Sequence, residues 1–331
     1  MATPYQFQCD YIAGCTPQIM DALLRHNLTE VPGYCEDMFC KEAEAKIREA
    51  CKCPDAGVFF FAGGTICNLS LISAVLRPWQ GVLAAPSGHI AAHETGAIEA
   101  TGHKVLEIDA VDGKLTAEAV RKALVSYRTN AERIFYVEPG LVYISNPTEL
   151  GTLYSLAELK ELSKVCREEG LFLYVDGARL AYALAAGDIK LEDYARLTDA
   201  FCIGGTKCGA LCGEAVVFCG MHVPAHPIPR IKQHGALLAK GRLTGVQFEA
   251  LFTDGLYFEI GRQAIETAQA LRRVLHERGY QFFLETPTNQ QFVILPNEDM
   301  ARIREHASIE YWEKYDETHT VVRFCTSWAT T

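Results

Sequence analysis

Positive charge is in short supply in this sequence: 31 Lys and Arg stand against 41 Asp and Glu, a formal charge of -10. Nucleic acid and acidic membrane surfaces select for basic patches, so neither is an expected partner and small metabolites are. Long apolar runs are missing too, since no stretch reaches the roughly 18 residues of a membrane span. The N-terminus, Met1-Ala2-Thr3-Pro4-Tyr5, has neither the basic nor the apolar region of a secretory leader. There is no internal repeat and no low-complexity tract. Cysteine is the contrary case, with 13 residues. Their number is odd, however, and most sit in apolar runs such as Phe201-Cys202-Ile203, which fits reduced thiols and a cytoplasmic protein.

What is present is a globular composition, 49% hydrophobic and 22% charged, in a chain of 331 residues. That length exceeds what one core usually serves, so a large domain and a smaller one are expected. Between about residues 58 and 220, short apolar runs alternate with amphipathic stretches, the pattern of a parallel sheet covered by helices. Strands are predicted at Val58–Phe61, Val82–Ala85, Lys104–Ile108, Arg133–Val137, Leu171–Val175, Ala200–Ile203 and Ala215–Cys219. The clearest helix opens on the capping box of Ser155 and Glu158 and stops at Gly170. After Met221 the pattern changes: Pro224, Pro227 and Pro229 crowd a connection, a helix is expected over Gly261–Gly279, and strands over Gln291–Pro296 and Thr320–Phe324. The expected organisation is an N-terminal segment 1–30, a large α/β domain 31–225 and a small α+β domain 226–331.

The chemistry centres on Asp176, at the end of the apolar run Leu171–Val175, and on Lys207, 31 positions later in Gly204-Gly205-Thr206-Lys207. An acid at the carboxyl end of a central parallel strand lies where open α/β sheets bind ligands, and a lysine after the next strand opens on the same crevice. Pyridoxal phosphate needs that pair: an amine to form the imine, and a carboxylate to keep the pyridine nitrogen protonated. Alternatively, Asp176 caps a helix starting at Gly177, and Lys207 is a solvated loop lysine. Phe61-Ala62-Gly63-Gly64-Thr65 places two glycines and a hydroxyl before a helix expected over Ile66–Leu76, which turns backbone N–H groups toward an anion. No lysine follows as in a P-loop, and the third glycine of the dinucleotide fingerprint is missing. Thr206 can add a second hydroxyl. His89 and His93 share the spacing of helical metal ligands, but Ile90 stands where a zinc protease carries its glutamate, so no metal is expected. His89 reads instead as a ring that stacks on the cofactor.

Taken together, Ala62-Gly63-Gly64-Thr65, the His89-to-Glu94 spacing, Asp176-Gly177-Ala178-Arg179 and Gly205-Thr206-Lys207 resemble the L-threonine aldolase and β-eliminating lyase family of pyridoxal-phosphate enzymes, from about Asp10 to Trp328. The resemblance implies the aspartate-aminotransferase-like fold, a doubly wound, mostly parallel sheet with a smaller C-terminal domain. It implies that Lys207 binds pyridoxal phosphate, Asp176 pairs with the pyridine nitrogen, and His89 stacks on the ring. It also implies that Gly64, Thr65 and Thr206 hold the phosphate, while Arg179 lies near the ring hydroxyl and the substrate. Arg323 is similar to the family arginine that grips the substrate carboxylate, although it also reads as an exposed strand arginine. Arg242 resembles an arginine that reaches the phosphate of a neighbouring subunit, implying a homodimer or homotetramer, and Tyr34 resembles a tyrosine near the site.

Three positions depart from the pattern. Glu149, in Asn146-Pro147-Thr148-Glu149, stands where the family usually has a histidine at the substrate β-hydroxyl. Cys9-Asp10-Tyr11-Ile12-Ala13-Gly14 is apolar where Ser and Glu are common, and Cys35 follows Tyr34 where glycine is common. The expected reaction is cleavage of a β-hydroxy-α-amino acid, of the L-threonine or L-allo-threonine type, to glycine and an aldehyde. Glu149 is either its base or a structural acceptor. Two alternatives stand beside it: elimination, racemisation or transamination of another amino acid on the same cofactor, and a degenerate pyridoxal-phosphate-binding regulatory protein.

Overall fold

A computed structural model describes residues 5–331. The chain opens with β1 (Tyr5–Phe7), α1 (Pro17–His26) and α2 (Met38–Ala50), the last capped by the Asp37 side chain. There follow β2 (Gly57–Phe61), α3 (Gly64–Val75), β3 (Gln80–Ala84), the single turn α4 (His89–Ala92) and β4 (Val105–Glu107). A ribbon of β5 (Ala110–Val111) and β6 (Lys114–Leu115) leads through α5 (Ala117–Thr129) to β7 (Glu138–Ser145). Next come α6 (Leu156–Glu169), β8 (Phe172–Asp176), α7 (Leu180–Ala186), α8 (Leu191–Leu197), β9 (Ala200–Gly204) and β10 (Glu214–Phe218).

The large sheet has the order β2-β10-β9-β8-β7-β3-β4, with β10 antiparallel to both of its neighbours and the other pairs parallel. Successive residues of a strand point to opposite faces. Accordingly Val142, Ile144, Leu173 and Val175 enter one core, while Leu141, Tyr143 and Tyr174 enter the other. Burial on both faces explains why Leu171–Val175 shows no polar alternation. The capping box of α6 forms as expected, and Gly170 ends that helix at φ 68°, a conformation that costs glycine little.

One predicted strand is displaced. Arg133–Phe135 is a short 3-10 turn in which Ile134 and Phe135 are 79% and 82% exposed, and the strand runs instead over β7. Two apolar runs compete there, and the second pairs with both β3 and β8. Pro139, which discourages a strand assignment, is accommodated beside a register shift between Gly81 and Val82.

The remainder comprises α9 (Pro227–Gln233), α10 (Arg242–Leu251), α11 (Leu256–Glu277), β11 (Gln281–Leu284), β12 (Gln290–Pro296), α12 (Asn297–Arg304), β13 (Ala307–Lys314) and β14 (His319–Cys325). The small sheet has the order β1-β13-β14-β12-β11, so the N-terminal strand completes a sheet otherwise built from the C-terminal part. Although they follow residue 226, α9 and α10 pack against α3 and α2, beside the large sheet. No helix among the described residues is long and apolar enough to cross a membrane.

Candidate active site

Asp176 ends β8, opposite Ser145 at the end of β7. Its Oδ2 accepts the Tyr143 hydroxyl at 2.7 Å and the Asn68 side-chain amide at 3.0 Å, and Oδ1 accepts the Ala178 N–H at 2.9 Å. Because α7 begins only at Leu180, Asp176 is not its cap. Three donors instead fix the buried carboxyl in the wall of a cavity of about 170 Å³ that Lys207 also lines. The Lys207 backbone is held by the Tyr182 hydroxyl, 2.5 Å from its carbonyl oxygen, and its Nζ lies 5.9 Å from the Tyr11 ring centroid.

The turn expected to face an anion lies where β2 runs into α3. Gly63 is extended, α3 begins at Gly64, and a Cβ placed on either glycine would meet open space. The first N–H groups of a helix have no intrahelical acceptors, so Gly64, Thr65 and Ile66 present donors at the positive end of the helix dipole. Gly64, Thr65, Thr206 and Lys207 all line the inner cavity. These residues fit pyridoxal phosphate: the lining offers backbone and hydroxyl donors for a phosphate, a carboxyl for a ring nitrogen, an amine for the aldehyde and an imidazole for the ring.

His89 opens α4 just beyond β3. Its Nδ1 lies 2.8 Å from Oε1 of buried Glu94; a carboxylate accepts, so the imidazole proton belongs on Nδ1. Burial works against protonating His89, but the Glu94 bond and the Asp176 charge outweigh it and raise its pKa. Asn68 also donates to Glu94 at 2.8 Å, which ties the histidine to Asp176. On the other side, Glu149 Oε1 accepts the His89 N–H at 2.9 Å and the Ser145 hydroxyl at 2.6 Å, and Ser145 lies 3.3 Å from the Tyr143 oxygen. The polar groups therefore form a closed ring from His89 through Glu94, Asn68, Asp176, Tyr143, Ser145 and Glu149 back to His89. Burial raises the Glu149 pKa against the Ser145 bond. Among the described residues both of its hydrogen bonds fall on Oε1, which leaves Oε2 for another partner.

A wider outer cavity of about 800 Å³ joins His89, Glu149 and Lys207 to Arg323, His93 and Trp312. Arg323, on β14, donates through Nη1 to Gln290 at 3.1 Å, and its Nε has no partner among the described residues. His93 faces His89 with ring centroids 5.6 Å apart, and burial together with the neighbouring positive charges lowers its pKa. Arg179 spans both cavities, but its fork is taken by a residue that sequence reasoning did not single out. Asp10 accepts from Arg179 Nε at 2.5 Å and Nη2 at 3.0 Å, and from Asn289 at 2.9 Å. Burial opposes ionisation of Asp10, yet the guanidinium holds its carboxyl below the usual range. Breaking such a buried pair by removing one member typically costs about 3–5 kcal/mol, so this contact clamps the N-terminal segment over the site.

Tyr34 and Arg242 are not brought to either cavity within one chain. Arg242 stacks over Phe39, donates to the Thr29 carbonyl and lines a separate groove; Tyr34 lies under Lys232 Nζ, 4.5 Å from its ring centroid. They are neighbours in space, since the Tyr34 N–H donates to Ala239 at 3.1 Å and Cys35 abuts Gly241. Cys35 itself adopts φ 65°, where its side chain is strained and a glycine would not be. Besides Asp10, the residues missed by sequence reasoning are Asn68, Tyr143, Ser145 and Glu214; the only signal for them was their position at strand ends or one turn into α3.

The family profile described as beta-eliminating lyase matches residues 6–295. The chain is 29% identical over 331 residues to a low specificity L-threonine aldolase of Pseudomonas sp., covering 98% of this chain and 93% of that protein. It is 30% identical to the protein of the same description from Pseudomonas aeruginosa, covering 82% of this chain and 78% of that one. Among solved structures, Leishmania major threonine aldolase superposes with a TM-score of 0.96 at 44% identity, over 99% of this chain and 95% of that one. A Thermus thermophilus aspartate aminotransferase double mutant, at 15% identity and a TM-score of 0.70 over 99% of this chain and 88% of that one, shares the fold.

Proposed function

The chain belongs to the β-eliminating lyase family of pyridoxal-phosphate enzymes, and from that premise we propose that the ring of hydrogen bonds joining His89, Asp176 and Glu149 around the Lys207 cavity is its catalytic centre. The reaction is cleavage of a β-hydroxy-α-amino acid of the L-threonine type into glycine and an aldehyde. The observation that carries this reading is Glu149, a half-buried carboxyl with a raised pKa that borders both the cofactor cavity and the substrate cavity.

When bound, pyridoxal phosphate supplies the electron sink for the pair released from the Cα–Cβ bond. Lys207 is the amine that holds the cofactor, Asp176 meets the pyridine nitrogen, and His89, oriented by Glu94, covers the ring. Gly64, Thr65 and Thr206 surround the phosphate. Arg323 receives the substrate carboxylate with its planar fork, which a lysine could not match bidentately. Arg179, immobilised by Asp10, borders the ring and the substrate. With Oε1 committed to the His89 N–H and to Ser145, Glu149 Oε2 takes the β-hydroxyl proton as the carbon–carbon bond breaks. Incubation with L-threonine and with L-allo-threonine should therefore yield glycine and acetaldehyde in equal amounts. Pyruvate and ammonia, or the mirror-image amino acid, would instead identify an eliminating lyase or a racemase.

The active species is a homodimer or homotetramer in which Arg242 reaches the phosphate of a neighbouring subunit and Tyr34 accompanies it. The support is that both residues miss their own cavity and lie together on one surface, and that most homo-oligomers close by symmetry. Sedimentation should show no active monomer, and Arg242→Ala should weaken cofactor retention; full activity in a monomeric species would refute this assembly. The thirteen free cysteines favour a reducing, cytoplasmic location.

A further inference from the structure

The phosphate cradle contains a carboxyl that the reaction does not use. Glu214 begins β10, the antiparallel strand wedged between β2 and β9, and its register partners are Phe61 and Gly204. Phe61 is the last strand residue before the Gly63-Gly64-Thr65 turn, and Gly204 the last before Gly205-Thr206-Lys207. The sheet therefore delivers Glu214 to the space between the two turns assigned to the phosphate. It is buried, it lines the inner cavity with Gly64, Thr65 and Thr206, and its Oε2 accepts the Gly205 N–H at 2.9 Å. A glutamate is an odd choice for an anion site. A phosphate monoester carries about -1.5 to -2 charges near neutral pH, and a second anion beside it disfavours both.

The ionisable groups facing Glu214 do not cancel that conflict. Lys207 contributes a positive charge and Asp176 a negative one, and the Arg242 proposed to come from a neighbouring subunit offsets only one charge of a phosphate dianion, so an ionised Glu214 would still face net negative charge. Cys202, Cys208 and Tyr257, on β9, in the Lys207 loop and on α11, are all pushed up by burial or hydrogen bonding and stay neutral. Apart from Lys207, the two turns offer only backbone N–H groups and hydroxyls. Burial already moves Glu214 up to about 7 without any phosphate present, against the opposing pull of the Thr206 hydroxyl, Lys207 and the Gly205 N–H.

We propose that Glu214 is a cofactor-binding residue that acts as a neutral acid, giving its proton as a hydrogen bond to the phosphate, so that binding of pyridoxal phosphate draws one proton from solution onto this carboxyl. The balance is simple: free carboxylate, proton and phosphate dianion become carboxylic acid and dianion in one hydrogen-bonded pair. No oxidant or second reactant is required. The device also discriminates between ligands, because a molecule bearing a neutral group at that end leaves the acid without its best acceptor. The proposal rests on the assignment of the Gly-Gly-Thr and Gly-Thr turns to the phosphate.

The test compares pyridoxal phosphate with pyridoxal, which lacks the phosphate but condenses with the same lysine, so that their affinity ratio removes the protons of lysine chemistry. Binding is followed by absorbance on protein stripped of cofactor, from about pH 7 to about pH 9, where the phosphate is already mostly dianionic. For the wild type the preference for pyridoxal phosphate should fall by about tenfold per pH unit once pH exceeds the free carboxyl's pKa, the slope of a single linked proton. In Glu214→Gln, whose amide donates without titrating, the preference should be flat over that range. Calorimetry of the wild type in two buffers of different ionisation enthalpy should register one more proton taken up with pyridoxal phosphate than with pyridoxal at the upper end, a reading that needs no variant. A flat wild-type preference with equal proton uptake for the two ligands would overturn the proposal while leaving the cradle in place. Equal affinity for pyridoxal and its phosphate at every pH would overturn the cradle assignment itself, and the proposal with it.

Discussion

Lys207→Ala is expected to abolish cleavage while leaving the protein folded. Wild-type protein treated with borohydride should carry the cofactor irreversibly on the peptide that contains Lys207, and the alanine variant should carry none. The fold should survive because the local backbone is fixed by groups other than the lysine side chain. Tyr182 donates to the Lys207 carbonyl at 2.5 Å, and the Gly205 N–H is received by Gly213 and by Glu214 at 3.1 and 2.9 Å. Thermal unfolding of the two proteins without cofactor should therefore nearly coincide, since a side chain facing a cavity contributes little packing. Retained turnover in the variant, or a wild type that takes up no pyridoxal phosphate, would sink the assignment of the catalytic centre.

The second large effect is expected at Glu149. Glu149→Gln keeps the shape of the side chain and can still accept from the His89 N–H and from Ser145, so cofactor binding and amino-acid binding should persist. What the amide loses is basicity, and cleavage should fall by about 10²–10⁴-fold, the usual contribution of a positioned general base. The pH profile supplies a sign. A base works when deprotonated, and burial raises this carboxyl's pKa, so the wild-type rate should climb with pH along a limb displaced above the ordinary carboxylate range. The Gln variant should lack that limb. If the two proteins cleave at similar rates across pH, the glutamate only orients its neighbours, and the proton goes to His89 or to a phosphate-bound water.

Both of these residues were legible in the sequence, for different reasons. Asp176 and Lys207 announce themselves because each follows an apolar run that can only be a buried strand, and Gly63-Gly64-Thr65 because a turn between strand and helix has few other uses. Glu149 stood out through its departure from a resemblance. The groups that orient them were not legible, because their roles depend on register. Tyr143 meets Asp176 only once β7 is placed at Glu138–Ser145, and an apolar run five residues upstream competes for that strand. Asn68 is one of several polar residues in a mostly apolar helix, and its two donors find Glu94 and Asp176 only in three dimensions. Glu214 gains its meaning from lying opposite Phe61 and Gly204. Arg242 and Tyr34 show the opposite limit, since a single folded chain does not bring them to its own cavity.

The clamp between Asp10 and Arg179 also bears on when the enzyme becomes competent during its synthesis. Asp10 leaves the ribosome early, yet its partners lie 169 and 279 positions downstream, at Arg179 and Asn289. Contacts of such long range close late, because the intervening chain must be ordered first. The side of the Lys207 cavity that Tyr11 lines therefore depends on contacts of this late kind.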